Sequence, residues 1–195
     1  MKRATLVLLA LLLLVACAPK GMNVVYNAQS GNRIQTEPIY LKIKDVRTDR
    51  MLVSSAVMQK DLFTNVGDRL SLTAKGIAGR TVQLKNVTVS EAFQEAFRTR
   101  LQGVGVGLLP DQNPNAGTLI IEVEKFQLGL GPNRTFTAEV NYTAHFYKGA
   151  KQVHSARITG STQKFYVLGQ STGEEALGEA FSSAVNGLDL GALTK

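Results

Sequence analysis

The sequence predicts an α+β domain of two layers, with an antiparallel sheet covered on one face by about two helices. Three observations carry this. Phe136, Ala138, Val140, Tyr142, Ala144 and Phe146 occupy alternate positions, with Thr137, Glu139, Asn141, Thr143, His145 and Tyr147 between them. Such clean alternation means one buried and one wet face, as in an antiparallel sheet. Two stretches repeat apolar residues at helical spacing: Val89, Phe93, Ala96, Phe97 and Leu101, then Leu177, Ala180, Phe181, Ala184, Val185 and Leu188. The order is strands, helix, a meander of strands, helix, which suits helices gathered on one face of a sheet.

The first expected strand holds Ile39, Leu41 and Ile43 alternating with Tyr40, Lys42 and Lys44, and the charged run Asp45–Arg50 closes it. Residues 51–67 show no usable period. Leu70, Leu72 and Ala74, then Val82, Leu84 and Val87, form two further alternating runs around Lys75-Gly76-Ile77-Ala78-Gly79, the pattern of a hairpin. Thr88-Val89-Ser90-Glu91 has capping-box spacing, so the first helix starts at Thr88 or Ser90. Arg98 and Arg100 stand near its C-terminal end, where cations oppose the helix dipole, and Gly103 ends it. The glycine-bearing stretch 103–107 leads through Pro110 and Pro114 to the strand of Leu119, Ile121 and Val123. A loop at Gly129–Arg134 precedes the long alternating strand, and Lys148-Gly149-Ala150-Lys151 turns it into a last strand from about Val153 to Val167. The final helix, about Gly173 to Leu188, opens on a second capping-box pattern, Thr172-Gly173-Glu174-Glu175.

The N-terminus is a processing signal. Lys2 and Arg3 form a positive head, Leu6 to Val15 is almost wholly apolar, and Leu14-Val15-Ala16 precedes Cys17, the one cysteine of the chain. A membrane span needs roughly 20 apolar residues, and this run is about half that. An ordinary secretory signal would leave Cys17 as an odd thiol. A bacterial lipoprotein signal accounts for it: residues 1–16 are cleaved and Cys17 is acylated. Residues 17–36 then read as the lipidated cysteine and a flexible polar tether, and residues 37–195 as one periplasmic domain. Cleavage leaves 179 of the 195 residues, enough for a core without disulfides. It also lowers the formal net charge from +7 to +5. The cations are scattered rather than in blocks, which argues against a nucleic-acid binder.

Several motifs have the outline of catalytic or ligand-binding chemistry. Gly169-Gln170-Ser171-Thr172-Gly173 matches a nucleophile elbow, but that motif needs a mostly parallel sheet and a histidine after the serine. His145 and His154 both precede Ser171, so helix capping is the better reading. Gly103–Gly107 follows a helix rather than opening one, unlike a phosphate loop. His145 and His154 are expected on adjoining strands, where two histidines alone make a poor metal site. Glu122 and Glu124 read as solvated strand carboxylates. The Asn-x-Thr triplets at Asn86, Asn133 and Asn141 carry no expected meaning after a bacterial signal. No catalytic set, cofactor or metal is expected, and the chain is read as a non-enzyme.

The layout resembles the YajG-type family of periplasmic lipoproteins and, more loosely, the auxiliary lipoproteins of ABC-type envelope transport systems. The matching features are Cys17, the polar stretch after it, Ile39–Lys44 running into Asp45-Val46-Arg47, the helix Ala92–Leu101, the strand Thr118–Val123 and the C-terminal helix. The resemblance implies a structural or accessory envelope protein. Ala18 after the cysteine resembles the outer-membrane sorting pattern. The expected function is therefore an adaptor on the periplasmic face of the outer membrane, held by acyl chains on Cys17 and bound to an envelope protein. The alternative is a carrier of lipid or a small amphiphile, which needs a cleft lined by Phe93, Phe97, Phe136 and Phe146.

Overall fold

The computed structural model describes residues 22–58, 66–77, 79–167 and 171–194. The chain runs β1 (Met22–Asn27), β2 (Ile39–Asp45), α1 (Ser55–Met58), β3 (Arg69–Lys75), β4 (Thr81–Thr88), α2 (Val89–Gly103), β5 (Leu108–Leu109), β6 (Gly117–Gly131), β7 (Thr135–Lys148), β8 (Lys151–Phe165) and α3 (Thr172–Gly187). The fold is α+β. The sheet differs from expectation, because there are two sheets and both are mixed. One has the order β1-β3-β4, the other β5-β2-β6-β7-β8. β1 lies parallel to β3 and β2 parallel to β6, whereas β3–β4, β6–β7 and β7–β8 are antiparallel. Alternation reveals a half-buried strand but not the direction of its neighbour.

The tether expected over residues 17–36 is corrected from residue 22 onward, and residues 17–21 lie outside the described residues. The described chain is already a strand at Met22, with Met22, Val24 and Tyr26 buried and Asn23 and Asn27 exposed. Residues 28–38 are mostly exposed, yet backbone bonds fix them: Ala28 N–H donates to Lys75 O at 2.9 Å, Ile34 N–H to Val104 O at 2.8 Å, and Ile39 N–H to Gly107 O at 3.0 Å. The domain therefore begins by residue 22 rather than 37.

The long meander follows the sequence closely. The six alternate residues from Phe136 to Phe146 are all 3% exposed or less. In β6 the pairing shifts between Val123 and Lys125. This bulge lets Phe126 and Leu128 continue the buried face that Leu119, Ile121 and Val123 begin. Asn86, in the bulged part of β4, and Asn133, in the β6–β7 turn, have φ of 54° and 59°. Asparagine tolerates that left-handed region better than most residues.

Phe93 of α2 is the hub of the core. Its ring lies 4.9 Å from Phe181, 5.8 Å from Tyr142, 6.1 Å from Phe126 and 6.3 Å from Phe97, thereby joining both long helices to β6 and β7. Removing such a ring costs about 4 kcal/mol. The capping box at α2 is present: Glu91 N–H donates to Thr88 Oγ1, and Thr88 N–H donates back to Glu91 Oε2 at 2.7 Å. The second box does not form. Among the described residues, Ser171 is the N-cap of α3 without a side-chain bond, and Thr172 Oγ1 is buried with no partner. Glu174 instead accepts the N–H of Asn23 at 2.7 Å.

That bond belongs to a seam along the outer edge of β1. Asn27 N–H donates to Ser182 Oγ at 3.1 Å, Ser182 Oγ donates to Val25 O at 3.4 Å, and Asn186 Nδ2 donates to Asn27 O at 2.8 Å. Side chains of α3 thus do for β1 what a neighbouring strand would. The far end of the helix is held as firmly. Tyr142 OH donates to Ala184 O at 2.9 Å, and Arg100 donates to Val185 O and, at 2.5 Å, to Leu188 O. Arg100 therefore serves the C-terminus of α3 rather than that of its own helix. Burial pushes the Arg100 pKa down and those of Tyr26 and Tyr142 up.

Close approach makes these contacts possible. A Cβ at Gly160 of β8 would lie 2.1 Å from Ala180 O, and one at Gly178 of α3 would lie 2.9 Å from Val25 O. Gly160→Ala is accordingly expected to destabilise the domain by about 3 kcal/mol, as overpacking against backbone does. Gly67→Ala, with nothing within 4 Å of its would-be Cβ, is expected to leave the urea midpoint unchanged. Equilibrium urea unfolding of both variants checks the contrast.

Candidate interaction site

Cys17 and residues 1–16, expected to be a cleaved signal, lie outside the described residues. The other singled-out groups are dispersed. Phe93, Phe97, Phe136 and Phe146 are 0–3% exposed and belong to the core, so they line no cleft. His145 bonds Ser155 Oγ at 3.1 Å on the outer face of the large sheet, while His154 pairs in register with Phe146. The two histidines therefore do not face one another. α3 packs on the other face of that sheet, which separates Ser171 from His145. His154 lies near the opposite end of β8 from Ser171, more than about 30 Å of strand away. Among the described residues, no group of three or more His, Cys, Asp or Glu stands close enough to share a metal ion.

The outer sheet face is a ladder of ion pairs. Glu122 takes Lys44 at 2.9 Å and His145 at 3.6 Å, Glu124 takes Arg157 at 2.7 Å, and Lys125 pairs with Glu139. The Lys44 ammonium, bonded to Glu122, holds the pKa of that carboxyl below its usual value. These exposed pairs each contribute well under about 1 kcal/mol. Their chief effect is to leave the face with little net charge.

The edge of the sheet at β2 is different. β5 pairs only with Ile39 and Tyr40, so Leu41 to Asp45 have no strand beside them on that side among the described residues. Ile39 N–H points toward the β5 side and Val46 N–H toward β6. Alternation therefore turns the N–H and C=O of Ile43 outward to the open edge. A groove of about 650 Å³ runs below this edge, between β2 and α2, with Arg80, Gln94, Arg98 and Gln102 on its helix side and Leu109 and Pro110 at one end. Lys42, exposed on the opposite side of the strand, adds a third cation. Glu95 offsets part of this charge through its 3.4 Å pair with Arg98. Unpaired strand backbone beside guanidinium and amide groups can take up an extended peptide. Sequence reading missed the site. Gln94, Arg98 and Gln102 repeat at helical spacing along the polar side of α2, which reads as an ordinary solvated face.

A buried turn fixes the end of this edge. Arg47 Nε donates to Asp45 Oδ1 at 2.9 Å and its NH2 to Oδ2 at 2.8 Å, a two-pronged contact within three residues. The Arg47 side chain is 2% exposed, and its NH1 also donates to Arg50 O at 3.3 Å. The hydrogen bond from Arg47 holds the Asp45 carboxyl below the usual carboxylate range.

No protein-family model matches the chain, and no curated protein matches it. It is similar in structure to protein XCC0632 from Xanthomonas campestris, of the DUF330 family model, at 10% identity and a TM-score of 0.49, over 88% of this chain and 95% of that one. It is also similar to an uncharacterised protein at 10% identity and a TM-score of 0.44, over 87% and 96%. A third similarity is to lipoprotein GNA1162 from Neisseria meningitidis, at 15% identity and a TM-score of 0.33, over 78% and 97%.

The Asp45–Arg47 contact gives a pH dependence of known sign. A carboxyl whose folded pKa is depressed stabilises the fold fully above its unfolded value, near 3.9, and loses that contribution as pH falls through the folded value. Stability from this pair should hold from neutral pH to about 4 and decline below it. Asp45→Asn leaves Arg47 buried without its charge partner. It should cost about 3 kcal/mol at neutral pH and flatten the acid limb of a stability–pH profile measured by urea unfolding.

Proposed function

We propose that this protein is a non-enzymatic lipoprotein, anchored through acylated Cys17 to the periplasmic face of the outer membrane. Its domain serves as an adaptor that docks an extended segment of an envelope protein along β2. The observation that carries the docking is the open β2 edge above a groove bearing Arg80 and Arg98. Strand addition there gives backbone bonds to Ile43, and the groove cations select a segment bearing Asp or Glu. The anchor rests on the signal ending at Cys17 and on the YajG-type layout. Among the described residues, no helix is long and apolar enough to cross a membrane. The carrier reading draws no support from the four phenylalanines, which fill the core.

Two measurements test the parts separately. Labelled palmitate should enter the wild type and not Cys17→Ser, and that variant should leave the membrane fraction. Labelling of both chains would sink the anchor. A photo-crosslinking residue placed at Gln102 in the groove should yield a discrete adduct that one at Thr159, on β8, does not. Arg98→Glu, at a position whose side chain is 47% exposed, should weaken that adduct about tenfold without unfolding the chain. Equal adducts from both positions would sink the groove.

A further inference from the structure

We propose that the end of the domain carrying Met22 rests on the membrane surface, with Phe165 and Val167 as its contact residues; this builds on acylation at Cys17. The topology gathers one end of the molecule from four elements. β1 starts there at Met22, and Asn23 N–H meets Glu174 in the first turn of α3. β8 finishes there, with Phe165 opposite Thr135. The β6–β7 turn joins them, because Tyr166 N–H donates to Arg134 O at 2.8 Å. The Lys148–Lys151 hairpin marks the opposite end, about 50 Å away along a 15-residue strand.

The chain outside the described structure decides which end meets the bilayer. Only residues 18–21 separate Cys17 from Met22. Five residue steps reach at most about 17 Å. The acyl chains therefore hold the Met22 end near the headgroups, while a strand about three times that length extends away from it. The surface at this end fits such a neighbour. Phe165 is 73% exposed and Val167 43%, and Arg134 adds a cation suited to anionic headgroups. The acidic groups nearby are engaged: Glu174 with the Asn23 N–H, and Glu175 and Glu179 with Lys164 at 3.4 Å and 2.6 Å. Because the anchor has already localised the domain, burying one phenylalanine ring biases its orientation by roughly tenfold.

The chain contains no tryptophan, so a single introduced one reports its own surroundings. The mature acylated chain, carrying Phe165→Trp or Val153→Trp, is reconstituted into vesicles of phosphatidylethanolamine and phosphatidylglycerol with brominated acyl chains. Val153 is 40% exposed near the far end of β8. Roughly twofold quenching of F165W, with V153W unquenched, is the expected result. Flotation with the vesicles but no quenching of F165W overturns the orientation and leaves the anchor standing. Failure to float overturns the anchor and the orientation together. F165W emission that is shielded from iodide yet untouched by bromolipid assigns the patch to a protein contact and overturns the membrane assignment.

Discussion

The C-terminal helix is packed between two backbones at distances that admit no side chain, and the rest of the domain is arranged around that fact. Gly160 lets β8 touch the α3 backbone at Ala180 on one side, and Gly178 lets α3 touch the β1 backbone at Val25 on the other. At that range, helix side chains reach the unpaired peptide groups of β1 directly. Four such groups, on Asn23, Val25 and Asn27, are satisfied by Glu174, Ser182 and Asn186. At about 1 kcal/mol net each, the seam is comparable to a whole neighbouring strand segment. It joins the small sheet to the large one without a strand passing between them. Arg100 and Tyr142 hold the carbonyl end of the same helix, so its position along the seam is fixed as well as its distance.

What was legible in the sequence is what depends on local period. The alternation from Phe136 to Tyr147, the stripes of both long helices and the Thr88–Glu91 box all have the roles their spacing suggests, because each is decided within one element. What was not legible depends on partners far away. Met22, Val24 and Tyr26 do alternate, but polar residues around them gave the stretch the composition of a linker, and its ordering comes from Leu70–Ala74 and from α3. The Thr172–Glu175 pattern looks like a capping box, yet Glu174 is drawn to Asn23, more than 140 residues earlier. The basic side of the β2 groove suffers the same limit. Its cations sit on α2 and on the β3–β4 connection, and no pattern within either element says that they meet.

The sheet edges divide the molecule's surface. At β1 the exposed peptide groups are consumed by a helix, and along the outer face the charges are consumed by each other. Along the open stretch of β2, as along the outer edges of β4 and β8, no strand takes up the peptide groups among the described residues, and at β2 the groove beside them is polar and cationic. The docking proposed above draws on this contrast, since a surface satisfied everywhere has nothing left for a partner. The Asp45–Arg47 turn ends the open stretch abruptly, which limits the length of any strand that could lie along it to a few residues.

The β1 seam also sets a clock. Met22–Asn27 is among the first parts of the domain to be synthesised, and the helix that covers it is nearly the last. At about 10 residues per second, some 15 seconds separate the two. Throughout that interval the first strand has no cover for its edge, and the domain cannot close. A chain whose opening strand must wait for its final helix remains threadable until synthesis is almost complete, which is the condition a protein needs if it is to cross a membrane before it folds.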